Sequence, residues 1–246
     1  GLAAAIGRTA LPVRKPLRVA VFSTGDEVRE PGTVLPPGGI HDANRYAVSA
    51  LLRGLGCAVT DLGILPDRIE VVRDALAAAA PQADLLMTSG GVSAGEEDHV
   101  KAAVQALGRL AFWRVNMRPG RPVALGEVLG KPFVGLPGNP VAAMTTFLLL
   151  GRPLVLGLMG ARITQPPRYP LPAAFSFRKK PGRREFLRAR LVVEDGQSRV
   201  IRFENDGSGI LSSMTRSDGL LDLPEDLTAI EPGQFVRFLP FSEVLP

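Results

Sequence analysis

Cysteine and histidine are scarce in this chain of 246 residues. Cys57 is the only cysteine, so no intramolecular disulfide can form and a reducing cytoplasm is permitted. His41 and His99 are the only histidines. A zinc site built from cysteine and histidine ligands needs more of these side chains than the sequence contains, so that class of metal site is excluded.

Leader signals and uninterrupted apolar runs are also missing. The N-terminus lacks a charged start followed by a long apolar region, so we expect no signal peptide. The most apolar segment, "VAAMTTFLLLGRPLVLGLMG", is interrupted by Gly151, Arg152 and Pro153. We therefore interpret it as a buried helix rather than a membrane span, and we expect no membrane partner.

Aromatic residues make up only 6% of the sequence, while the formal net charge is +5. A basic balance suits nucleic acid, an anionic membrane or small anionic ligands. The basic run "RKKPGRR" (178–184) has no aromatic residues between its charges, although stacking on single-stranded nucleic acid requires them. We expect no nucleic-acid partner.

What the sequence does contain is an alternation of apolar, β-branched runs with helical patterns. Strands are predicted at 18–23, 57–65, 83–89 and 110–115, with helices between them. This order predicts an α/β fold with a mostly parallel sheet and helices on both faces. Near residue 163 the proline-rich "TQPPRYPLP" is followed by short alternating strands and turn signals, which predict a small all-β, barrel-like domain.

The predicted organisation is a catalytic α/β domain over 17–162 and a β domain over 163–246. Residues 1–16 show neither pattern and start at a glycine rather than a methionine. We interpret them as a tail or as the remnant of a preceding domain.

Ligands of open parallel sheets bind beyond the carboxyl ends of the strands. The first three predicted strands are followed there by "STGDEV", "LPDR" and "SGGVSAGEED", and each of these stretches carries an acid. The candidate site residues from these stretches are Thr24, Gly25, Asp26, Glu27, Asp67, Ser89, Gly90, Gly91 and Asp98.

Glycine-rich turns offer backbone amides to a phosphate, whereas Glu27, Asp67 and Asp98 would repel it. A magnesium ion held by one or two carboxylates and by the phosphates of its ligand reconciles the two features. We therefore expect these three acids to bind Mg²⁺ on a pyrophosphate. The alternative is structural, because Asp67 and Asp98 also stand where helix N-caps belong. The coincidence of three acids at one sheet edge favours the functional interpretation.

A second cluster of candidates is cationic and lies in "FWRVNMRPGRP". Arginines in a short loop suit an oxyanion, because the guanidinium fork pairs with it bidentately; a solvated basic face is the alternative. The next stretch, "GLPGNP", combines a tight turn with a helix start, where backbone amides favour anions. The candidates from these two stretches are Arg114, Arg118, Arg121, Pro137, Asn139 and Pro140.

Six segments follow one another along the sequence, namely "FSTGDEV", "DANR", "LGILPD", "SGGVSAGEEDHVK", "FWRVNMRPGRP" and "GLPGNPV". Their order and spacing resemble the molybdopterin molybdenumtransferase (MoeA) family, which includes the gephyrin E domain. The resemblance runs from about Leu17 to the C-terminus. It implies a MogA-like α/β domain and a C-terminal β-barrel. The implied activity is the insertion of molybdate into adenylylated molybdopterin, with Mg²⁺ and release of AMP. A cytoplasmic homodimer is implied for the full-length protein.

The resemblance also assigns residues. The three acids fall on the family's functional acids, whereas Arg114 and Arg118 replace lysines of better-known members. This replacement keeps the charge but forbids any role for a neutral amine. The turn containing Pro137 and Pro140 is implied to lie beside the molybdate region. Two positions of the β domain are implied to face the active cleft, namely Arg188 and Ser208.

Family members normally carry two further domains before the segment that matches "RVAVFST". Residues 1–16 are therefore expected to be a stub of those domains, and the isolated chain is expected to fold but to be a poor catalyst. Two other functions stay open. One is a non-catalytic molybdopterin-binding or scaffold module, and the other is a MogA-like adenylyltransferase or nucleotide pyrophosphatase on the same fold.

Overall fold

The computed structural model describes residues 1–92 and 99–246. Its first sheet has six strands. The first four in spatial order run parallel, and the last two continue the sheet with antiparallel pairing. The predicted mostly parallel sheet is confirmed. In spatial order the strands are β4 (Ala58–Leu65), β1 (Arg18–Thr24), β5 (Leu85–Ser89), β9 (Lys131–Leu136), β8 (Pro122–Val128) and β6 (Gly108–Arg114).

Helices cover both faces of this sheet, because successive side chains of a buried strand point to opposite sides. Val21 and Met87 belong to one hydrophobic cluster, whereas their neighbours Phe22 and Leu86 belong to a second one. The helix α2 (Asn44–Gly54) packs in the first cluster; α3 (Ile69–Ala79) and α4 (His99–Leu107) pack in the second.

The apolar segment after β9 forms one continuous helix, Pro140–Leu158, with a mean hydropathy of 1.7. By length and composition this helix could cross a membrane, but half of its most apolar window is buried inside the protein. It consists of α5 (Pro140–Thr146), a π-helical turn (Phe147–Gly151) and α6 (Arg152–Leu158). The widened turn ends two residues before Pro153, which has no N–H to donate to a regular α-helical bond.

A second sheet follows in the C-terminal part of the chain. Its edge strands are linked by a bridge between Ala173 and Val200, so the sheet curls towards a closed barrel around its own apolar cluster. In spatial order its strands are β10 (Tyr169–Pro172), β16 (Phe235–Pro240), β14 (Gly219–Leu223), β12 (Arg184–Glu194) and β13 (Gln197–Arg202).

The two sheets are joined by backbone pairing and by a shared core. Strand β7 (Met117–Arg118), from the arginine-rich loop of the first part, pairs in parallel with the start of β12. Phe186, Phe241 and Val244 from the second part belong to the same hydrophobic cluster as β1 and β5. The two parts therefore share one hydrophobic cluster, in addition to the cluster that belongs to the second sheet alone.

The remaining elements are short. Helix α1 has no buried residues. Strands β2 and β3 pair with each other after β1, and β11 pairs with β15. These elements are α1 (Leu2–Ala5), β2 (Val28–Arg29), β3 (Ile40–His41), β11 (Phe177–Arg178), α7 (Ser212–Thr215), β15 (Ala229–Ile230) and the 3₁₀ turns Ala80–Gln82 and Phe241–Glu243.

The proposed helix cap at Asp67 needs correction. Arg68, not Asp67, occupies the N-cap position of α3, and no side chain caps that helix. Asn139 does occupy the N-cap position of α5, but its side chain forms no capping hydrogen bond. At α2, Ala43 occupies the N-cap position, and Asp42 just before it accepts the Arg45 backbone N–H at 3.1 Å. The Asp67 carboxylate is thus not engaged in capping.

The shared core predicts that the whole chain unfolds in one cooperative transition. Phe241 is only 8% exposed within that core, so Phe241→Ala should lower the free energy of unfolding by about 3 kcal/mol or more. Calorimetry should show one peak that shifts as a unit. Phe235→Ala is the matched control, because Phe235 is 68% exposed and should change stability by about 0.5 kcal/mol or less. Two peaks, of which only one moves, would contradict the shared core.

Candidate functional site

A cleft of about 1200 Å³ lies beyond the carboxyl ends of β1, β5 and β9. Its wall also includes the arginine-rich loop and residues of the second sheet's connections. The structure brings together most of the residues predicted from the sequence. Those that line the cleft are Thr24, Gly25, Glu27, Asp67, Ser89, Gly90, Gly91, Arg118, Arg121, Pro137, Asn139, Pro140 and Ser208.

Four predicted site residues do not appear in this lining. Asp26 is exposed and borders a separate hollow of about 340 Å³. Arg114 ends β6 with an exposed side chain that is not part of the cleft wall. Arg188 is 2% exposed and lies behind the wall. Asp98 lies outside the described residues. Asp26, Arg114 and Arg188 thus lie outside the lining of the cleft, and their contacts with a ligand stay predictions.

The turn after β5 shows why glycine is required there. Gly90 has φ +88°, and a Cβ atom on it would lie 2.4 Å from the backbone oxygen of Thr24. Its N–H donates to the Leu136 carbonyl at 3.2 Å. The backbones that follow β1, β5 and β9 therefore touch at this point, where a side chain would push them apart.

Asn44 is a site residue that sequence reasoning missed. Its Nδ2 donates to Ser89 Oγ at 2.8 Å and to the Gly138 carbonyl at 2.6 Å. Ser89 Oγ in turn donates to the Pro137 carbonyl at 3.2 Å. Because a carbonyl only accepts, the amide nitrogen must face Gly138. Asn44 thus ties the start of α2 to the ends of β5 and β9 within the cleft wall, a contact between distant segments that no local pattern signals.

A buried arginine holds this end of α2 in place. Arg45 is 3% exposed, and its guanidinium pairs with Asp42 at 2.9 Å, Asp61 at 2.5 Å and Glu30 at 2.5 Å. Burial lowers the pKa of Arg45, but its hydrogen bonds to Asp61 and Asp42 outweigh this effect and raise the pKa above its ordinary value. The network joins the loop after β1 to α2 and β4.

The acidic part of the cleft contains Glu27 and Asp67. Asp67 Oδ1 lies 3.3 Å from His99 Nδ1, yet within 1–92 and 99–246 both atoms are buried without a well-formed hydrogen bond. Glu27 is exposed to the cleft. Across 1–92 and 99–246, no three His, Cys, Asp or Glu side chains are grouped to hold a metal. The exposed carboxylate of Glu27 and the partly buried carboxylate of Asp67 nevertheless fit a hard cation that shares further ligands with a phosphate.

The cationic part of the cleft contains Arg118 and Arg121. The Arg118 side chain is 56% exposed, and its Nη1 lies 3.8 Å from Glu185 Oε2. Gly120, between the two arginines, has φ +100°, and a Cβ atom there would lie 2.3 Å from Thr146 Oγ1. The loop therefore packs against α5 and presents its guanidinium groups to the cleft.

Arg188 shapes the cleft without lining it. Its guanidinium donates to Ser213 Oγ at 3.0 Å and to the carbonyls of Asn205 and Gly207 at 2.8 and 3.2 Å. Burial lowers the pKa of Arg188, and the charge of Arg118 acts in the same direction. The loop that Arg188 holds brings Ser208 to the cleft, where the Ser208 carbonyl accepts the Val141 N–H at 3.0 Å. That helix amide, predicted to attract an anion, is already occupied.

A two-part chain with this cleft belongs to a recognisable class. Residues 20–157 match the family described as a probable molybdopterin binding domain, and residues 170–241 match the MoeA C-terminal region (domain IV). The first match covers more than half of the chain. The chain belongs to the molybdopterin molybdenumtransferase (MoeA) family.

Individual relatives agree with this assignment. The chain is 39% identical over 246 residues to the molybdopterin molybdenumtransferase of Haemophilus influenzae, covering 99% of this chain and 61% of that protein. It is 37% identical to molybdopterin molybdenumtransferase 2 of Mycobacterium tuberculosis, covering 95% and 58%. The crystal structure of the molybdopterin biosynthesis MoeA protein of Pyrococcus horikosii matches with a TM-score of 0.82 and 29% identity, covering 98% and 58%. The chain thus spans about 60% of the length of these relatives.

The close contact at Gly90 predicts that a side chain at this position destabilises the fold by more than backbone strain alone. Gly90 and Gly182 have similar φ values, +88° and +95°, but a Cβ on Gly182 would meet nothing within 4 Å. Gly182→Ala should therefore destabilise the fold by about 1 kcal/mol from strain alone. Gly90→Ala should cost roughly 2 kcal/mol more, because the Thr24 backbone must move. Urea unfolding of both variants measures the difference, and equal losses would refute the close approach.

Proposed function

We propose that this chain carries the active cleft of an enzyme that inserts molybdate into adenylylated molybdopterin and releases AMP. The observation that supports this most is the composition of the cleft. It places the carboxylates of Glu27 and Asp67 and the guanidinium groups of Arg118 and Arg121 around one cavity. Such a cavity suits two anions at once, one bridged by a cation and one held directly by arginine.

The size of the cleft and the relatives support the same proposal. A volume of about 1200 Å³ is above the usual range of about 300–1,000 Å³ for small-molecule sites, as a ligand with a pterin and a nucleotide would need. The relatives from Haemophilus influenzae and Mycobacterium tuberculosis bear the name molybdopterin molybdenumtransferase. A transferase that brings two anions together also needs little more from its residues than positioning and charge.

In the proposed reaction the residues of the cleft hold and orient the reactants. The backbone turn at Gly90 and Gly91 lies beside the pyrophosphate, and Asn44 keeps that turn next to the loop after β9. Arg118 and Arg121 bind molybdate, while Ser208 closes the wall from the second sheet. Arg188 acts as a positioning residue, because it holds the loop of Ser208 through backbone carbonyls.

Magnesium completes the proposal. Glu27 and Asp67 would hold the ion, together with Asp98, which lies outside the described residues. Asp67 Oδ1 fits this role, because it is buried without a well-formed hydrogen bond. The bound ion would neutralise charge on the pyrophosphate and on the leaving AMP. The full-length protein is proposed to be a cytoplasmic homodimer, as the family resemblance implies.

Asp67→Asn tests the acidic half of the cleft. The amide has the same shape, and Asp67 does not cap α3, so the fold should persist while Mg²⁺-dependent AMP release falls by roughly tenfold or more. The measurement is molybdate-dependent AMP release across a series of Mg²⁺ concentrations, with the chain joined to the remaining domains of a relative. Asp74→Asn is the matched control, because Asp74 is 69% exposed on α3 and pairs with its neighbour Arg73. Unchanged turnover of Asp67→Asn would remove Asp67 from the proposed site.

Arg118→Ala tests the cationic half. Loss of a charge-assisted contact should raise the molybdate concentration for half-maximal AMP release by roughly tenfold or more. Binding of the pterin substrate should change much less. Arg118→Lys should be nearly normal, because it keeps the charge. An equal effect on both substrates would contradict separate sites for the two anions. Absence of any molybdate-dependent AMP release by the joined wild-type protein would favour the non-catalytic binding module instead.

A further inference from the structure

Glu185 is a buried acid beside the cleft that the proposed function does not use. It is the second residue of β12 and is 4% exposed. Its Oε2 atom is fully buried and has no hydrogen-bond partner among the residues that the structure describes. Glu185 is not among the residues that line the cleft, so a ligand in the cleft does not touch it. A buried carboxylate without a hydrogen bond is unfavourable unless a nearby positive charge offsets it.

The nearby positive charge is Arg118. Strands β7 and β12 pair so that Arg118 stands directly opposite Glu185 in the register. The guanidinium Nη1 atom lies 3.8 Å from Glu185 Oε2, which is the distance of an ion pair rather than of a hydrogen bond. The rest of the Arg118 side chain is turned outward, with 56% of it exposed. One guanidinium therefore faces a buried acid on one side and the cleft on the other.

The remaining charges at this wall do not replace Glu185. Arg188 is close enough to Arg118 for its pKa to be lowered by that charge, so it repels Arg118 rather than holding it. Asp206 lines the cleft but lies 3.3 Å from Arg202. In the part of the chain that the structure describes, Glu185 is the acid that forms an ion pair with Arg118.

We infer that Glu185 is an internal counter-anion of Arg118 that weakens the hold of the cleft on an incoming oxyanion. The acid competes electrostatically with the ligand for one guanidinium, because both negative charges act on the same group from opposite sides. This inference rests on the proposed function, in which Arg118 binds molybdate. Glu185 is a positioning and charge-setting residue, not a catalytic one, since it acts only through Arg118. A weakened hold suits an enzyme whose oxyanion must leave the arginine and enter the product.

The experiment is a double-mutant cycle on Glu185 and Arg118 with direct binding of molybdate as the readout. Glu185→Gln keeps the size of the side chain and removes its charge. It should tighten molybdate binding on the order of fivefold, the scale of one charge acting across a partly hydrated wall. In the Arg118→Ala background the same change should have no effect, because the group that transmits it is gone. Calorimetric titration of the purified chain with sodium molybdate measures all four proteins.

Controls separate this effect from structural damage. Glu127→Gln removes a carboxylate that pairs with Arg109 at 3.2 Å, at a site that does not line the cleft, and it should leave molybdate binding unchanged. Damage to the wall would weaken binding, whereas the counter-anion predicts a gain. Glu185→Asp, which withdraws the carboxylate by one methylene, should bind with intermediate affinity. If Glu185→Gln fails to fold, Glu185→Asp is used as the test variant instead.

The outcomes distinguish the inference from the function on which it rests. If Arg118→Ala leaves molybdate binding unchanged, the proposed oxyanion site is wrong and the inference is wrong with it. If Arg118→Ala weakens binding but neutralising Glu185 does not tighten it, only the counter-anion is wrong. A gain from Glu185→Gln that persists without Arg118 would also overturn the inference, because the acid would then act on the ligand independently.

Discussion

The short pairing between β7 and β12 is the contact on which the rest of the cleft depends. It joins the arginine-rich loop of the first sheet to the start of β12 in the second sheet through main-chain pairing. Backbone pairing fixes direction and register at once, so Arg118 is placed relative to both sheets. Asn116 reinforces the junction, since its side chain donates to the Gly182 carbonyl at 2.5 Å. Without this junction the second sheet would be a neighbour of the cleft rather than one of its walls.

The shared core has the same consequence for the energetics of the fold. Apolar residues from the last strands pack in the cluster that also contains β1 and β5. The two parts therefore stabilise each other by burying apolar surface together, which neither part could bury alone. A cleft between two sheets needs a shared hydrophobic cluster beneath it, because its polar walls bury little apolar surface of their own. The buried network around Arg45 plays a similar part beneath the acidic side, where it anchors the loop after β1.

The charges of the cleft are arranged by depth as well as by sign. Arg45 and Arg188 are buried and donate hydrogen bonds to other groups of the protein, so they shape the walls. Arg118 and Arg121 stay exposed and keep donors for a ligand. The acids divide in the same way between Asp42, which holds Arg45, and Glu27, which is open to the cleft. The sequence alone does not distinguish an arginine that shapes the wall from one that binds a ligand. Only the depth of the side chain in the structure separates these two roles.

Local patterns in the sequence were sufficient for the elements of the fold and for much of the cleft. Apolar periodicity predicted the buried strands, and the rule that ligands bind at strand ends brought Glu27, Asp67 and Gly90 to one edge. These inferences succeeded because each depends on residues adjacent in the chain and on the general geometry of parallel sheets. The resemblance, which the family matches bear out, added the order of the motifs. The tertiary structure decided which side chains face the cleft. Arg188 is buried behind the wall and Arg114 lies outside it. Asn44 and Glu185 have roles that come from partners far away in the chain. Such contacts depend on the register between strands and on burial, and both are set by the packing of the whole molecule rather than by any single segment.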